Sequence, residues 1–289
     1  MSEKYNIRKV FCSRYFKDGI VAEFDFSQLE VAALAEISND SVLLDEVNNG
    51  VDIHTENAAL WLKCKPEEVT KELRKKAKIM TFQLQYGAGP KKMAESLNIR
   101  AEEAKKFIGT FYDKYKGVNS FHAALAALRD SYQETLDKQT IGQESFVLPL
   151  AGWSPTGRMY TIPARLDKEK NHWYLSLTEM KNYPIQGFAT ADVVPIVINM
   201  VYDRLIGSTF SAKLINTVHD SFVIDCHADE FGDVLRIVEQ VFTQFPDYFY
   251  NLFDYKLKAV YNYDVKFGWN LSEEDMKKLT REEVQLFCS

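Results

Sequence analysis

Asp25 directly follows the apolar, strand-like stretch Ile20–Phe24 and precedes the helical stretch Leu29–Ile37. A carboxylate at a strand end is well placed to hold a hard cation over the edge of a sheet. Asp25 and Ser27 are also ordinary N-capping residues for the helix that follows. This segment alone is therefore compatible with a metal-binding role and with a structural one.

A second aspartate, Asp220, lies beside His219 in a short connection between the strand-like stretches Lys213–Val218 and Phe222–Cys226. Aspartate is common in tight turns because its side chain tolerates unusual backbone angles, so a structural role is again open. The apolar strands on both sides predict that the turn is buried against the sheet, which favours a functional role.

Four side chains recur at intervals of four residues: Arg74, Lys78, Phe82 and Tyr86. On a helix they form one slowly drifting stripe, with two cations at its start and two aromatic rings at its end. Cations suit a triphosphate, and flat apolar rings suit a sugar and a base. The alternative is an amphipathic surface helix whose aromatic residues enter the core.

Two weaker signals accompany these segments. Asp52-Ile53-His54-Thr55 predicts a helix N-terminus at which His54 could reach a phosphate. Asn182 and Gln186 offer two amides near a turn, which suits contact with nucleic acid. A capping or packing histidine, and amides that satisfy the local backbone, are the respective alternatives.

The elements that must position these residues alternate between sheet and helix. Strand patterns occur near both ends of the chain, where Tyr261–Val265 predicts the final strand, and helical patterns dominate the middle. Pro66-Glu67-Glu68 predicts the start of a helix in that middle part. A helix is also predicted from Phe231 to Phe242 and would pack on the sheet. This order predicts an α+β fold in which both ends of the chain form one sheet.

Bulk composition sets few limits. The net charge of -6 does not exclude a nucleic-acid partner, because binding depends on where the cations lie. Four cysteines without a CxxC pair predict reduced thiols and a cytoplasmic location. The most apolar run, Val193–Val201, is short and contains Pro195, which predicts no membrane partner.

Taken together, these segments resemble family A DNA polymerases (the DNA polymerase I family). Motif A of that family resembles DFSQLE (25–30), motif B resembles RKKAKIMTFQLQYGAG (74–89), and motif C resembles TVHDSF (217–222). The family's stretches between and after these motifs resemble DIHTENA, NYPIQGFATAD and VKFGWNLSE. The resemblance implies a right-hand polymerase fold. An antiparallel palm sheet would come from residues 1–45 and 176–289, and mostly helical fingers from residues 46–175.

The resemblance also implies template-directed DNA synthesis with two Mg²⁺ ions, for which Mn²⁺ is an alternative. Asp25, Asp220 and the main-chain carbonyl of Phe26 would hold the metals, and Lys78 would join the two aspartates as a catalytic residue. The other implied residues bind deoxynucleoside triphosphate or primer-template DNA. The residues implied in nucleotide binding are Arg74, Lys78, Phe82, Tyr86, Glu30, Gln28 and His54, and Glu30 would block a 2′-hydroxyl. The residues implied in primer-template contact are His219, Asn182 and Gln186.

Three positions depart from the family pattern. Ser221 stands where glutamate commonly follows the motif C aspartate, and Gln83 stands where glycine is common. The arginine usually found just before Asn182 has no clear counterpart, and Lys181 is only nearby. These changes affect fine tuning rather than the reaction.

The stretch Tyr5–Phe11 resembles the segment that follows a further palm motif, and that motif is absent from the chain. We also expect the chain to lack a thumb and a 3′–5′ exonuclease domain. We therefore expect a separate polypeptide that carries the thumb and the N-terminal palm. Such a split polymerase suggests a phage protein acting in the host cytoplasm.

Three other functions compete with this interpretation. A single-subunit RNA polymerase uses a similar helix, but Glu30 argues against it because an RNA polymerase must admit the 2′-hydroxyl. A non-catalytic nucleic-acid-binding remnant has no use for both Asp25 and Asp220. A phosphohydrolase built on His219-Asp220 would need more histidine ligands than five scattered residues provide.

Overall fold

The computed structural model describes residues 6–137, 147–150, 152–167, 169 and 172–288. The described elements in chain order are β1 (Gly19–Ser27), α1 (Leu29–Ser38), α2 (Ser41–Asn48), α3 (Ile53–Leu62), α4 (Lys71–Gln85), α5 (Pro90–Leu97), α6 (Ala101–Lys114), α7 (Lys116–Asp137), β2 (Val147–Leu150), β3 (Tyr160–Pro163), β4 (Arg165–Asp167), β5 (His172–Tyr174), α8 (Leu177–Gln186), α9 (Val194–Ile206), β6 (Lys213–Val218), β7 (Ser221–His227), α10 (Phe231–Phe253), β8 (Asn262–Gly268), β9 (Lys277–Leu279) and α11 (Arg281–Cys288). A π-helical segment, Gly187–Val193, follows α8.

The chain divides into two compact units. The sheet unit comprises Met1–Leu29, Ala189–Leu257 and Tyr261–Ser289, and the helical unit comprises Glu30–Phe188 and Lys258–Val260. The boundaries expected from the sequence, 1–45, 46–175 and 176–289, stay a prediction. Two parts of these predicted segments lie outside the described residues: Tyr5 in the first segment and residues 138–146 in the middle one.

The sheet unit contains a five-stranded sheet in the order β6-β7-β1-β8-β9, in which every neighbouring pair is antiparallel. β1 lies at its centre, and its apolar residues Val21, Ala22 and Phe24 are fully buried. Strands from both ends of the chain meet in this sheet, as the sequence predicts. The helix α10 also matches its predicted pattern and buries one apolar stripe, which includes Val234, Val238 and Val241.

Two expectations about the sheet are wrong. The turn after β6 was expected to be buried by apolar strands on both sides, and only β7 is buried. β6 is an edge strand and is almost wholly exposed, including Ile215 and Val218. The strand predicted at Tyr261–Val265 exists as β8, but it is not the last one, since β9 adds to its free edge.

The helical unit positions its long helices by N-caps. Asp52 accepts hydrogen bonds from the backbone of His54 and Thr55 and so starts α3, as predicted. The predicted helix start at Pro66 is wrong, because Pro66–Glu68 forms only a 3₁₀ turn and Thr70 caps α4. Two short hairpins, β2–β3 and β4–β5, interrupt the predicted helical middle.

One helical stretch, Leu177–Ile206, is long and apolar enough to cross a membrane when judged by length and composition alone. Half of its most apolar window is buried inside the molecule, as in the core helix of a globular protein. This is weak evidence for a membrane span, and the expectation of no membrane partner stays a prediction.

Candidate functional site

The register of β1 on β7 brings the two predicted metal-binding aspartates together in the sheet unit. Asp25 lies opposite Ser221, which directly follows Asp220 in a two-residue hairpin between β6 and β7. The backbone N–H of Phe26 donates to the carbonyl oxygen of Asp220 across 3.1 Å. Antiparallel pairing of β1 with β7 thus brings Asp25 and Asp220 to the same end of the sheet.

The electrostatics of this edge oppose ionisation of Asp25. Partial desolvation, together with the negative charges of Asp220, Glu23 and Asp264, raises the pKa of the Asp25 carboxyl to about 6. Lys266 lowers the pKa and offsets only part of that effect. Carboxylates held close together without enough positive charge are typical of a site that takes up a cation.

The donor set fits a hard divalent cation that is shared with a substrate. Within the described part of the chain, no group of three or more histidine, cysteine or acidic side chains could hold a metal alone. Two carboxylates leave most positions of an octahedral Mg²⁺ to water and to substrate oxygens, which is how this ion is usually bound. Asp25, Asp220 and the Phe26 carbonyl are the residues that would hold it.

Two neighbouring residues adopt left-handed backbone conformations. His219 has a φ of 55° at the β6–β7 turn and is exposed, and Gln28 has a φ of 51° between β1 and α1. Both positions need a sharp change of chain direction, which explains the unusual angles. Their predicted contacts with primer and nucleotide stay predictions.

The stripe of four residues lies on α4 in the helical unit, with Tyr86 at its C-cap. The ammonium of Lys78 lies 5.5 Å from the centre of the Phe82 ring, and the Phe82 and Tyr86 rings stack at 6.5 Å. Phe82 and Tyr86 are only partly buried. The structure therefore gives a cation followed by two accessible rings in the predicted order, and not two rings lost in a core.

Asp52 is a member of this constellation that sequence reasoning did not identify. The Arg74 guanidinium donates to both carboxylate oxygens of Asp52, at 2.5 and 3.2 Å. Hydrogen bonds from Arg74 and Thr55 hold the pKa of Asp52 below its usual range, although burial raises it. The capping signature of Asp52 was visible in the sequence, but its pairing with a helix further along the chain was not.

His54 lies beside the aromatic part of the stripe. Its ring centre is 5.6 Å from that of Phe82, its side chain is buried, and its Nδ1 has no partner among the described residues. Burial is the main cause that lowers the pKa of His54 to about 4; the negative charge of Asp52 opposes this shift, and the positive charges of Lys78 and Arg74 add to it. His54 is thus a neutral imidazole near neutral pH and offers a hydrogen bond rather than a charge.

Glu30 is fixed by two residues that the sequence had placed in separate roles. Tyr86 donates its hydroxyl to Glu30 Oε2 at 2.7 Å, and the Gln186 amide donates to Glu30 Oε1 and, at 3.0 Å, to the Tyr86 hydroxyl. Burial and Glu30 together raise the pKa of Tyr86 above its ordinary value, so it stays a donor. This triad closes one end of the stripe with a rigid carboxylate.

Asn182, the remaining predicted contact, lies on α8 one turn before Gln186. Its Oδ1 is buried without a hydrogen-bond partner among the described residues. The structure therefore groups Arg74, Lys78, Phe82, Tyr86 and Glu30 with His54 and Gln186 in the helical unit, and Asp25 with Asp220 in the sheet unit. The functional roles of all these residues stay predictions.

Comparison with known proteins gives a consistent result. A family model described as DNA polymerase family A matches residues 1–271. The chain is 30% identical over 241 residues to DNA polymerase I of Lactococcus lactis subsp. lactis (strain IL1403), which is 83% of this chain and 25% of that protein. It is 31% identical over 235 residues to DNA polymerase I of Borreliella burgdorferi, a match that covers 81% of this chain and 24% of that protein. The chain thus spans about a quarter of the length of the curated relatives it matches.

A solved structure has the same fold. The POL domain of Pol1 from M. smegmatis, in complex with DNA primer-template and dNTP, superimposes with a TM-score of 0.71 at 22% identity, over 92% of this chain and 42% of that one. This likeness confirms the predicted α+β polymerase fold with its antiparallel sheet.

Proposed function

This chain belongs to DNA polymerase family A, and from that premise we propose that it carries out the nucleotidyl-transfer step of template-directed DNA synthesis. The substrates are a primer-template DNA and deoxynucleoside triphosphates. The observation that carries the proposal is the junction of Asp25 and Asp220 on adjacent antiparallel strands. Placing these two carboxylates together brings no structural benefit, because partial desolvation and their mutual repulsion raise the pKa of Asp25 and cost stability.

We propose that Asp25, Asp220 and the Phe26 carbonyl hold two Mg²⁺ ions, with Mn²⁺ as a substitute. When bound, such ions stabilise the attacking 3′-oxygen and the departing pyrophosphate. The protein supplies the carboxylates already in place, so little reorganisation is needed at the moment of reaction. His219 and Gln28 flank this edge in the chain and would contact the primer terminus and the nucleotide.

The helical unit supplies the nucleotide-binding surface in this proposal. Arg74 and Lys78 bind the triphosphate, Lys78 acts on the transferred phosphoryl group, and neutral His54 donates a hydrogen bond. Phe82 packs on the sugar and Tyr86 lies near the base. Gln186 and Asn182 contact the primer-template. Glu30, held by Tyr86 and Gln186, fills the space of a 2′-hydroxyl and so favours DNA over RNA as the product.

Primer extension tests the proposal directly. The purified chain is given a labelled primer-template, all four deoxynucleotides and Mg²⁺, and parallel reactions contain Mn²⁺, EDTA or ribonucleotides. Extension with Mg²⁺ or Mn²⁺, none with EDTA and little with ribonucleotides is the expected result. Tight DNA binding without extension would favour a nucleic-acid-binding remnant, and efficient use of ribonucleotides would favour an RNA polymerase.

We also propose a separate polypeptide that supplies a thumb and the N-terminal palm. The exposed edge of β6 supports this proposal, because no other described strand pairs with that edge, and the apolar Ile215 and Val218 there offer a template for a further strand. A net charge of -6 also leaves little surplus to grip a duplex. A polymerase divided in this way suggests a phage protein that works in the cytoplasm of its host.

Synthesis with and without the product of the adjacent reading frame tests this second proposal. Feeble extension by the chain alone, with recovery on addition of that product, is the expected result. Substitution of the edge residue Ile215→Lys should weaken the recovery without changing the feeble activity of the chain alone. Robust, tight-binding synthesis by the isolated chain would refute the divided enzyme and leave the catalytic proposal intact.

A further inference from the structure

Lys181 is a buried cation without an anionic partner. It lies on α8, and only 9% of its surface is exposed. Burial lowers the pKa of its ammonium group, and the positive charge of Arg129 lowers it further. Among the described residues no acidic group opposes these two effects on Lys181, and Arg129 itself pairs with Asp130. A desolvated ammonium without a counter-ion destabilises the free protein.

The side chain of Lys181 lies on the backbone that ends the nucleotide-binding stripe. Gly87, directly after Tyr86, has a φ of 74°, and a Cβ there would lie 3.3 Å from Lys181 Cδ and 3.5 Å from Thr178 Cα. The absence of a side chain at Gly87 therefore leaves room for the lysine stem. His122 also lies within electrostatic reach, because Lys181 lowers its pKa.

The position of Lys181 selects which phosphate it can bind. Arg74 starts the stripe and Gly87 ends it, which is about 20 Å along a helix that rises 1.5 Å per residue. Lys78 lies nearer, about 14 Å before Gly87 on the same rise, so a triphosphate bound by Arg74 and Lys78 lies toward the opposite end of the stripe from Lys181. The end of the stripe is where the base would lie, next to the strand with which it pairs.

We propose that Lys181 binds a backbone phosphate of the template strand, beside the base contact of Tyr86. This inference rests on the proposed function and deepens it by naming a contact to the template. The phosphate supplies the anion that the described residues do not place beside Lys181.

Binding of a primer-template to the full chain tests the proposal over a series of salt concentrations. Lys181→Met keeps the apolar stem and removes the charge. We expect about tenfold weaker DNA binding and a salt dependence reduced by roughly one phosphate contact, regardless of DNA sequence. The KM for deoxynucleotides should change less than twofold. The melting temperature should rise, because an unpaired buried charge is removed.

Two further variants sharpen the test. Lys181→Arg keeps a cation and should retain the wild-type salt dependence. Lys105→Met removes one exposed lysine of the helical unit and controls for the change in net charge; it should leave both the affinity and the salt dependence close to those of the wild type.

Several outcomes would overturn the proposal. These are unchanged affinity and salt dependence in Lys181→Met, a change in nucleotide KM instead of DNA affinity, or a fall in melting temperature that accounts for weaker binding. Failure of the proposed function can be distinguished from failure of the Lys181 proposal. If the wild type binds primer-template but does not extend it, the catalytic proposal fails, and the comparison of Lys181 variants by binding still holds.

Discussion

The backbone N–H of Phe26 donates to the carbonyl oxygen of Asp220 across 3.1 Å. This bond ties the end of β1 to the β6–β7 turn, and the Asp25 carboxylate lies within electrostatic reach of that of Asp220. The same arrangement that makes a cation site raises the pKa of Asp25 to about 6, chiefly through partial desolvation and then through Asp220. Catalysis and stability should therefore respond in opposite directions to changes at Asp25.

Asp25→Asn and Asp220→Asn should each lower kcat for primer extension by about 10³-fold, because an amide removes the charge that attracts a divalent metal. Binding of primer-template should be retained. Asp264→Asn is a matched control, since Asp264 lies opposite Asp25 on β8 and pairs with Lys278 at 2.9 Å. The kcat of Asp264→Asn should fall only a few-fold. An equal loss of kcat in all three variants would show that loss of negative charge in this region, and not loss of a specific metal-binding carboxylate, lowers the activity.

Asp25→Asn should also stabilise the metal-free chain at neutral pH. The folded carboxyl binds its proton more tightly than the unfolded one, so the wild type loses stability as pH rises from about 4 to about 6 and then stays level. The full effect of such a pKa difference is about 3 kcal/mol, and screening of this accessible group reduces it to roughly 1–2 kcal/mol.

Urea unfolding in EDTA at several pH values measures this difference. The variant should exceed the wild type in free energy of unfolding at pH 7 and match it near pH 4. A difference that is constant with pH would show that the Asp25 charge is not its cause.

Glu30→Ala should raise ribonucleotide incorporation relative to deoxynucleotides by about 10- to 100-fold, because the space of the 2′-hydroxyl is opened. Tyr86→Phe is the informative companion. It removes the hydroxyl that donates to Glu30 at 2.7 Å and keeps the ring that stacks on Phe82. A smaller rise is expected there, since Glu30 keeps its bond to Gln186. Single-nucleotide insertion assays give both ratios, and unchanged selection in Glu30→Ala would remove Glu30 from the sugar site.

Phe82→Tyr should ease the incorporation of dideoxynucleotides by supplying a hydroxyl near the sugar, an effect that the family resemblance implies. Phe82 is partly exposed on α4, so the added oxygen has room. Competition between deoxy- and dideoxynucleotides at one template position measures the change. Phe253→Tyr, at the partly exposed end of α10, is a control for the added hydroxyl and should leave the ratio unaltered.

Local patterns determined much of this protein. The apolar run before Asp25, the strands around Asp220, the stripe from Arg74 to Tyr86 and the helix that begins at Phe231 were all predicted from spacing alone. Such features depend on the period of a helix or strand, which neighbouring residues fix by themselves. The order of the motifs also predicted the family, which the comparison with known proteins shows.

Only the tertiary structure decided which distant residues meet. The pairing of Asp25 with the Asp220 turn depends on strand register, which no local period contains. The bonds from Tyr86 and Gln186 to Glu30 and from Arg74 to Asp52, and the burial of Lys181, depend likewise on how separate helices pack. The exposure of β6 was mispredicted for the same reason: an apolar strand pattern does not tell whether a neighbour covers it, because burial belongs to the assembled sheet and not to the strand.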